Sequence, residues 1–193
     1  MLKESNILEF KREINDSIIK EVIAFANTSG GTILVGYEDD GTPYGLTNAK
    51  EDLEKLSNKL HDSIEPNIDF LINMRIDTID KKDIIIIEVL QGTNKPYYLK
   101  SKGMVPEGVY IRFGNTSRPS TSEIIRQMII ESTGITFEKN VSINQDLTFN
   151  YAERLFKEKG LSFGQIEMKN LGLVTDKGLY TNLGLLLSDE CPY

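Results

Sequence analysis

The stretch SIIKEVIAFANTSGGTILVGY, Ser17 to Tyr37, decides the fold. Ile18, Ile19, Val22, Ile23, Phe25 and Ala26 recur at helical spacing behind the capping residues Asn15 to Ser17, which predicts a core helix over Ser17 to Asn27. Asn27 to Gly31 reads as a helix-terminating turn whose two glycines can take positive φ. Thr32 to Tyr37 follows as a strand aliphatic enough to be central.

Upstream, Ile7 to Arg12 suits a short strand with Leu8 and Phe10 on one face and Glu9 and Lys11 on the other. Downstream, Asp39 to Gly41 turn the chain. Asn48 with Glu51 resembles a capping box for a helix striped by Leu53, Leu56, Leu60 and Ile64 and ended near Pro66. Phe70, Ile72, Met74 and Ile76 alternate with Leu71, Asn73, Arg75 and Asp77, then a turn at Asp80 to Lys82 leads into Ile84 to Val89. This is a β-hairpin with one wet face. Short strands are expected at Pro96 to Leu99 and Val109 to Phe113, and Ser120 with Glu123 reads as a capping box for a helix through Met128. An α+β domain over 1–134 results. Residues 135–149 read as a linker, and 150–193 as the start of a C-terminal region with a helix from about Asn150 to Lys159 and an apolar strand at Leu183 to Leu187. That strand needs neighbours, so a piece of a longer protein is expected.

The 193 residues, 39% hydrophobic and 26% charged, describe a globular chain able to bury a core. A single cysteine, Cys191, excludes an internal disulfide, and a lone His61 removes most histidine-based metal and triad chemistry. The longest aliphatic run, Ile84 to Ile87, is too short to cross a bilayer and Met1 to Lys11 holds no apolar signal, so a cytoplasmic location and no membrane partner are expected. A net charge of −7 repels polyanions at long range. Even so, Lys95 to Arg126 sets six cations against Glu107 and Glu123, enough for a local phosphate-binding face.

Two constellations could carry chemistry. If Glu4 lies on a turn before the first strand, Glu4, Glu9 and Asp39 converge at one end of the sheet, and such hard oxygen ligands suit Mg²⁺ or Mn²⁺ and phosphodiester cleavage. Separately, Tyr110 and Arg112 share one face of a strand near Lys95, Lys100 and Lys102, an arrangement able to stack a base and hold a phosphate. No segment matches the G-x-x-x-x-G-K-[ST] phosphate loop.

The runs Glu4 to Lys11, Ala24 to Gly31 and Ile33 to Gly36 with Asp39 and Gly41 closely resemble the AlbA-type domain shared with Schlafen proteins. Lys95 to Leu99, Val109 to Gly114 and Thr121 to Met128 are similar to its closing strands and helix. The resemblance implies a mixed β-sheet packed with helices and a nucleic-acid-binding module of a transcriptional regulator; on the reading of the residues themselves, Lys11, Lys95, Lys100, Lys102, Tyr110, Arg112 and Arg118 would be its contacts to DNA or RNA. It also implies two alternatives: a divalent-metal-dependent endoribonuclease using Glu4, Glu9 and Asp39, with Asp40 the rival for the third position, and a divergent ATP-binding domain. A blander reading is a dimerisation or sensory piece, so a homodimer stands among the expected partners.

Overall fold

The structure is a computed structural model describing residues 3–134 and 136–192; Met1, Leu2, Ile135 and Tyr193, which fall within the expected spans, lie outside the described residues. The chain divides into two units, Met1–Thr133 and Gly134–Tyr193.

In the first unit, β1 (Leu8–Lys11), α1 (Ser17–Asn27) and β2 (Gly31–Val35) follow one another, with β1 parallel to β2. After α2 (Ala49–Ser63) and β3 (Ile64–Glu65), the hairpin β4 (Ile72–Ile79) and β5 (Lys82–Val89) completes a four-stranded sheet in the order β1-β2-β5-β4. β5 runs antiparallel to both neighbours, so the sheet is mixed and the class is α+β. Asp80 and Lys81, both at positive φ, form the two-residue turn. Two small ribbons, β3 with β6 (Tyr98–Leu99) and β7 (Tyr110–Phe113) with β8 (Thr116–Pro119), precede α3 (Ser122–Thr133).

One face of the sheet carries Ile33, Val35, Ile85, Ile87 and Val89 into a core with α1 and with Leu56 and Leu60 of α2. Phe10, Leu34, Ile84 and Ile86 form a second cluster with Tyr37, whose ring stacks on Phe10 at 5.5 Å. Ile84 to Ile87 are therefore all buried, and the exposed residues of the hairpin lie on the outer strand β4 and at Lys82 and Asp83 beside its turn. A central strand covered on both sides reads as a continuous aliphatic run.

The turn after α1 is fixed by packing. Gly30 stands at φ +74°, where a Cβ would lie 2.6 Å from the Val89 carbonyl oxygen, and a Cβ on Gly31 would strike the Phe25 ring. Two expected caps are absent: Asn48 makes no side-chain cap to α2, and at α3 it is Thr121 Oγ1, not Ser120, that accepts from Ile124 N–H.

The second unit holds α4 (Asn150–Glu158), α5 (Gln165–Asn170) and α6 (Asn182–Leu187). Leu147 and Phe149 join Met168, Leu173 and Val174 in its core, so the stretch expected as a linker is a packed part of this unit. The expected strand at Leu183 to Leu187 is helical. Thr181 Oγ1 caps it by accepting from Gly184 N–H, and buried Gly184 lies so close to the Leu173 carbonyl that a Cβ would come within 2.5 Å of it.

Candidate nucleic-acid interface

Strand alternation sets the chemistry of β1. Phe10 points into the outer apolar cluster, while Glu9 and Lys11 turn toward α1, where Glu21 occupies a buried position one turn after Ile18 and one before Phe25. Three charged side chains thus meet under the helix. The fourth arrives from β7: Arg112 Nη1 donates to Glu9 Oε2 at 2.8 Å, Glu21 Oε2 at 2.9 Å and Ser117 Oγ at 3.2 Å, and Nη2 donates to the Ser5 carbonyl at 2.6 Å. Lys11 pairs with Glu9 Oε1 and lies 3.9 Å from Glu21 Oε1, and Ser117 Oγ–H donates to Glu21. The guanidinium carbon sits 4.8 Å from the Phe25 ring centroid, and Arg112 Nε is buried without a hydrogen-bond partner among the described residues. Burial pushes the Glu21 carboxyl above its ordinary range. The Ser117 hydrogen bond opposes this, the Glu9 charge adds to it, and Lys11 and Arg112 oppose it.

This arrangement corrects the acidic constellation. Both oxygens of Glu9 are held by internal cations, and Glu4 Oε1 accepts from Phe10 N–H at 3.1 Å. Asp39 is exposed on the turn beyond Tyr37, its neighbour Asp40 bonding Thr42 and Glu38 pairing with Arg12 at 3.4 Å. Among the described residues, no group of three or more His, Cys, Asp or Glu is placed to hold a metal ion. A hard divalent ion needs oxygens free to coordinate it, so this donor set does not fit Mg²⁺ or Mn²⁺.

It also corrects the basic constellation. Tyr110 and Arg112 do share a face of β7, but it is the face turned to α1, and the Arg112 side chain is 2% exposed. Arg112 therefore offers nothing to a phosphate in solution. Arg118 is paired with Ile111 in the ribbon, on the opposite face, where its guanidinium stacks at 3.6 Å over exposed Phe113. Lys11 is tied to Glu9. Lys95 donates to the Thr28 carbonyl at 3.2 Å, and partial burial lowers its pKa against the pull of Glu131. Lys102 is exposed, and Lys100 pairs with Glu65 at 3.2 Å.

A different grouping of cations emerges. Lys20, the exposed residue of the otherwise buried α1, Lys59 of α2 and Lys100 after β6 line a cleft of about 520 Å³, with Ser63 and Ser101 offering hydroxyls. Its acids are Asp16, paired with Lys59, and Asp62. Lys20 Nζ also lies 5.6 Å from the Tyr110 ring centroid. Lys20 and Lys59 escape a sequence reading centred on Lys95 to Arg126. The available signal was a lone lysine in the middle of an aliphatic helix.

Asn27 joins stretches that lie far apart in the sequence. Its Oδ1 accepts from Tyr97 N–H at 2.8 Å, and its Nδ2 donates to the carbonyls of Tyr97 at 2.8 Å and Tyr110 at 3.0 Å. One buried amide thus ties the helix end to both closing strands.

A mixed sheet closed by two β-ribbons around a buried arginine defines an α+β module of the AlbA type. The family model described as Schlafen, AlbA_2 matches residues 4–121, and the chain belongs to that family. The crystal structure of the DIP2311 protein from Corynebacterium diphtheriae is similar over 94% of this chain at 18% identity and a TM-score of 0.51, and this chain spans 39% of its length. The solution structure of the N-terminal domain of a RecG-related protein from Nitrosomonas europaea matches 60% of this chain and 83% of that domain, at 25% identity and a TM-score of 0.46. No curated protein matches the chain. No described helix is long and apolar enough to cross a membrane.

Proposed function

We propose that this chain is a nucleic-acid-binding module of a transcriptional regulator, and that it holds the sugar-phosphate backbone of DNA in the cleft between α1 and α2. Membership of the AlbA_2 family supports the class of ligand. The observation that carries the site is the convergence of Lys20, Lys59 and Lys100 from three elements on one cleft, in a chain whose net charge is −7. Three ammonium groups act as point charges on phosphates and carry no base code, so binding is largely indifferent to sequence. The ion pairs of Lys59 with Asp16 and of Lys100 with Glu65 are surface pairs, worth little, and exchange readily for phosphate. Phe113 and Arg118, stacked and exposed on the β7–β8 ribbon, add a platform for a base or sugar.

The test is fluorescence anisotropy of labelled duplex DNA titrated with the chain at increasing KCl. Replacing Lys20, Lys59 and Lys100 together by Ala reduces the slope of log K against log salt by about 3, with loss of affinity on every sequence tried. Equal affinity and slope in the triple variant refute the site.

A further inference from the structure

The outer edge of the sheet carries information that the nucleic-acid reading does not use. β4 is the last strand in the order β1-β2-β5-β4, eight residues long, with Asn73, Arg75, Ile76, Asp77 and Thr78 exposed. Edge strands are commonly blunted by proline, a bulge or repelling charge; INMRIDTI has no proline and pairs with β5 without a break. The two-residue turn makes Ile79 and Lys82 a hydrogen-bonded pair, and Leu90 N–H donating to the Leu71 carbonyl at 2.7 Å continues the alternation. Odd-numbered residues of β4 therefore direct their main-chain groups to β5, while Met74, Ile76 and Thr78 direct theirs outward.

We infer that β4 pairs antiparallel with β4 of a second copy of this chain about a two-fold axis at Ile76, joining two four-stranded sheets into one. The outward main-chain groups permit axes at Met74, Arg75, Ile76, Asp77 or Thr78, and side-chain chemistry separates them. An axis at Arg75 opposes two arginines and one at Asp77 opposes two aspartates, both destabilising. An axis at Met74 sets Arg75 against Asn73, and one at Thr78 sets Asp77 against Ile79. Only the axis at Ile76 sets Arg75 opposite Asp77 of the second copy, twice by symmetry. These are non-hydrogen-bonded pairs, where side chains approach closest. On the other face it sets Ile76, 38% exposed, against its own copy beside the apolar side chains of Met74 and Ile72. In the single chain Arg75 pairs with Glu88 at 2.7 Å and Asp77 Oδ1 accepts from Thr78 N–H. Pairing turns Asp77 to the opposing arginine and frees Thr78 N–H for the carbonyl of Met74 across the interface, so the outward main-chain groups of Met74, Ile76 and Thr78 all find partners.

Sedimentation equilibrium of the full chain over a range of concentrations tests this. The expected result is a reversible monomer–dimer equilibrium, weakened at least about tenfold by Arg75→Asp, which opposes like charges, and restored by Arg75→Asp combined with Asp77→Arg. Because charge reversal could disturb the hairpin, register is read separately in a Cys191→Ser background under mild oxidation. Ile76→Cys cross-links to its copy, because opposed Cα atoms of a hydrogen-bonded pair stand about 5.5 Å apart. Thr78→Cys does not, its copies lying more than about 10 Å apart. A chain that stays monomeric, a dimer indifferent to Arg75→Asp, or cross-linking that does not favour Ile76→Cys overturns the inference.

Discussion

Replacing Arg112 by Gln removes a cation that holds two buried carboxylates, and its effect can be worked from the geometry. Arg112, Glu9 and Glu21 have side chains only 2%, 8% and 11% exposed, so solvent screening offers little relief. Breaking a buried ion pair from one side costs about 3–5 kcal/mol, because the partner's charge stays buried and unmatched. Lys11 still neutralises Glu9, but at 3.9 Å it gives Glu21 only a weak substitute. The loss therefore falls within that range rather than at twice it. For a chain of this length each kcal/mol shifts the midpoint by about 2–4 °C, so Tm falls by about 6–20 °C. Circular dichroism during heating and in urea measures it, with Arg118→Gln as the comparison, since that exposed arginine should cost no more than about 0.5 kcal/mol. A loss below about 1 kcal/mol for Arg112→Gln, or one matched by Arg118→Gln, refutes the buried network. So does an unchanged Tm accompanied by lost DNA affinity, which would make Arg112 a surface contact.

Glu21 gives the domain a pH signature. Its carboxyl pKa is raised in the folded state, so the native protein binds more protons than the unfolded chain above the ordinary value of 4.5, and stability falls as pH rises through that window. Relative to Glu21→Gln, which cannot ionise, the wild type should lose stability between about pH 4.5 and neutrality in urea titrations; a constant or reversed difference contradicts the assignment. Asn27→Leu removes one acceptor and two donors from main-chain partners and should cost at least about 3 kcal/mol in urea midpoint experiments, at about 1–3 kcal/mol for each of the three groups left unsatisfied. A change within about 0.5 kcal/mol rejects the amide as a tie between helix and closing strands.

Much of the fold was legible because it depends on local periodicity. The α1 helix, its glycine turn and the β2 strand follow from spacing alone, and the β4–β5 hairpin follows from alternation around Asp80 and Lys81. The second unit was harder. Leu183 to Leu187 carries the same aliphatic signal for a strand or a helix, and what decides between them is the cap from Thr181 and the fit of Gly184 against Leu173, a tertiary matter. The stretch 135–149 is mostly polar, and only the burial of Leu147 and Phe149 reveals that it belongs to a core. For the site, alternation correctly put Tyr110 with Arg112 and Glu9 with Lys11, but spacing cannot say whether a face looks outward. Each of these charged residues, read alone, suits a surface. Glu21 was the available warning, a carboxylate placed among Ile18, Val22 and Phe25, where an isolated charge could not remain without a cation from elsewhere in the chain.

That cation comes from far along the polypeptide. Arg112 lies 91 residues after Glu21 and 103 after Glu9, and it bonds the Ser5 carbonyl across 107. At translation speeds of about 5–20 residues per second, the ribosome needs roughly 5–18 s to travel from Glu21 to Arg112. Throughout that interval Glu9 has Lys11 as its cation, whereas Glu21 lacks the arginine that meets it at 2.9 Å. The buried charge cluster that joins β1 to α1 is therefore complete only once the β7–β8 ribbon has been made.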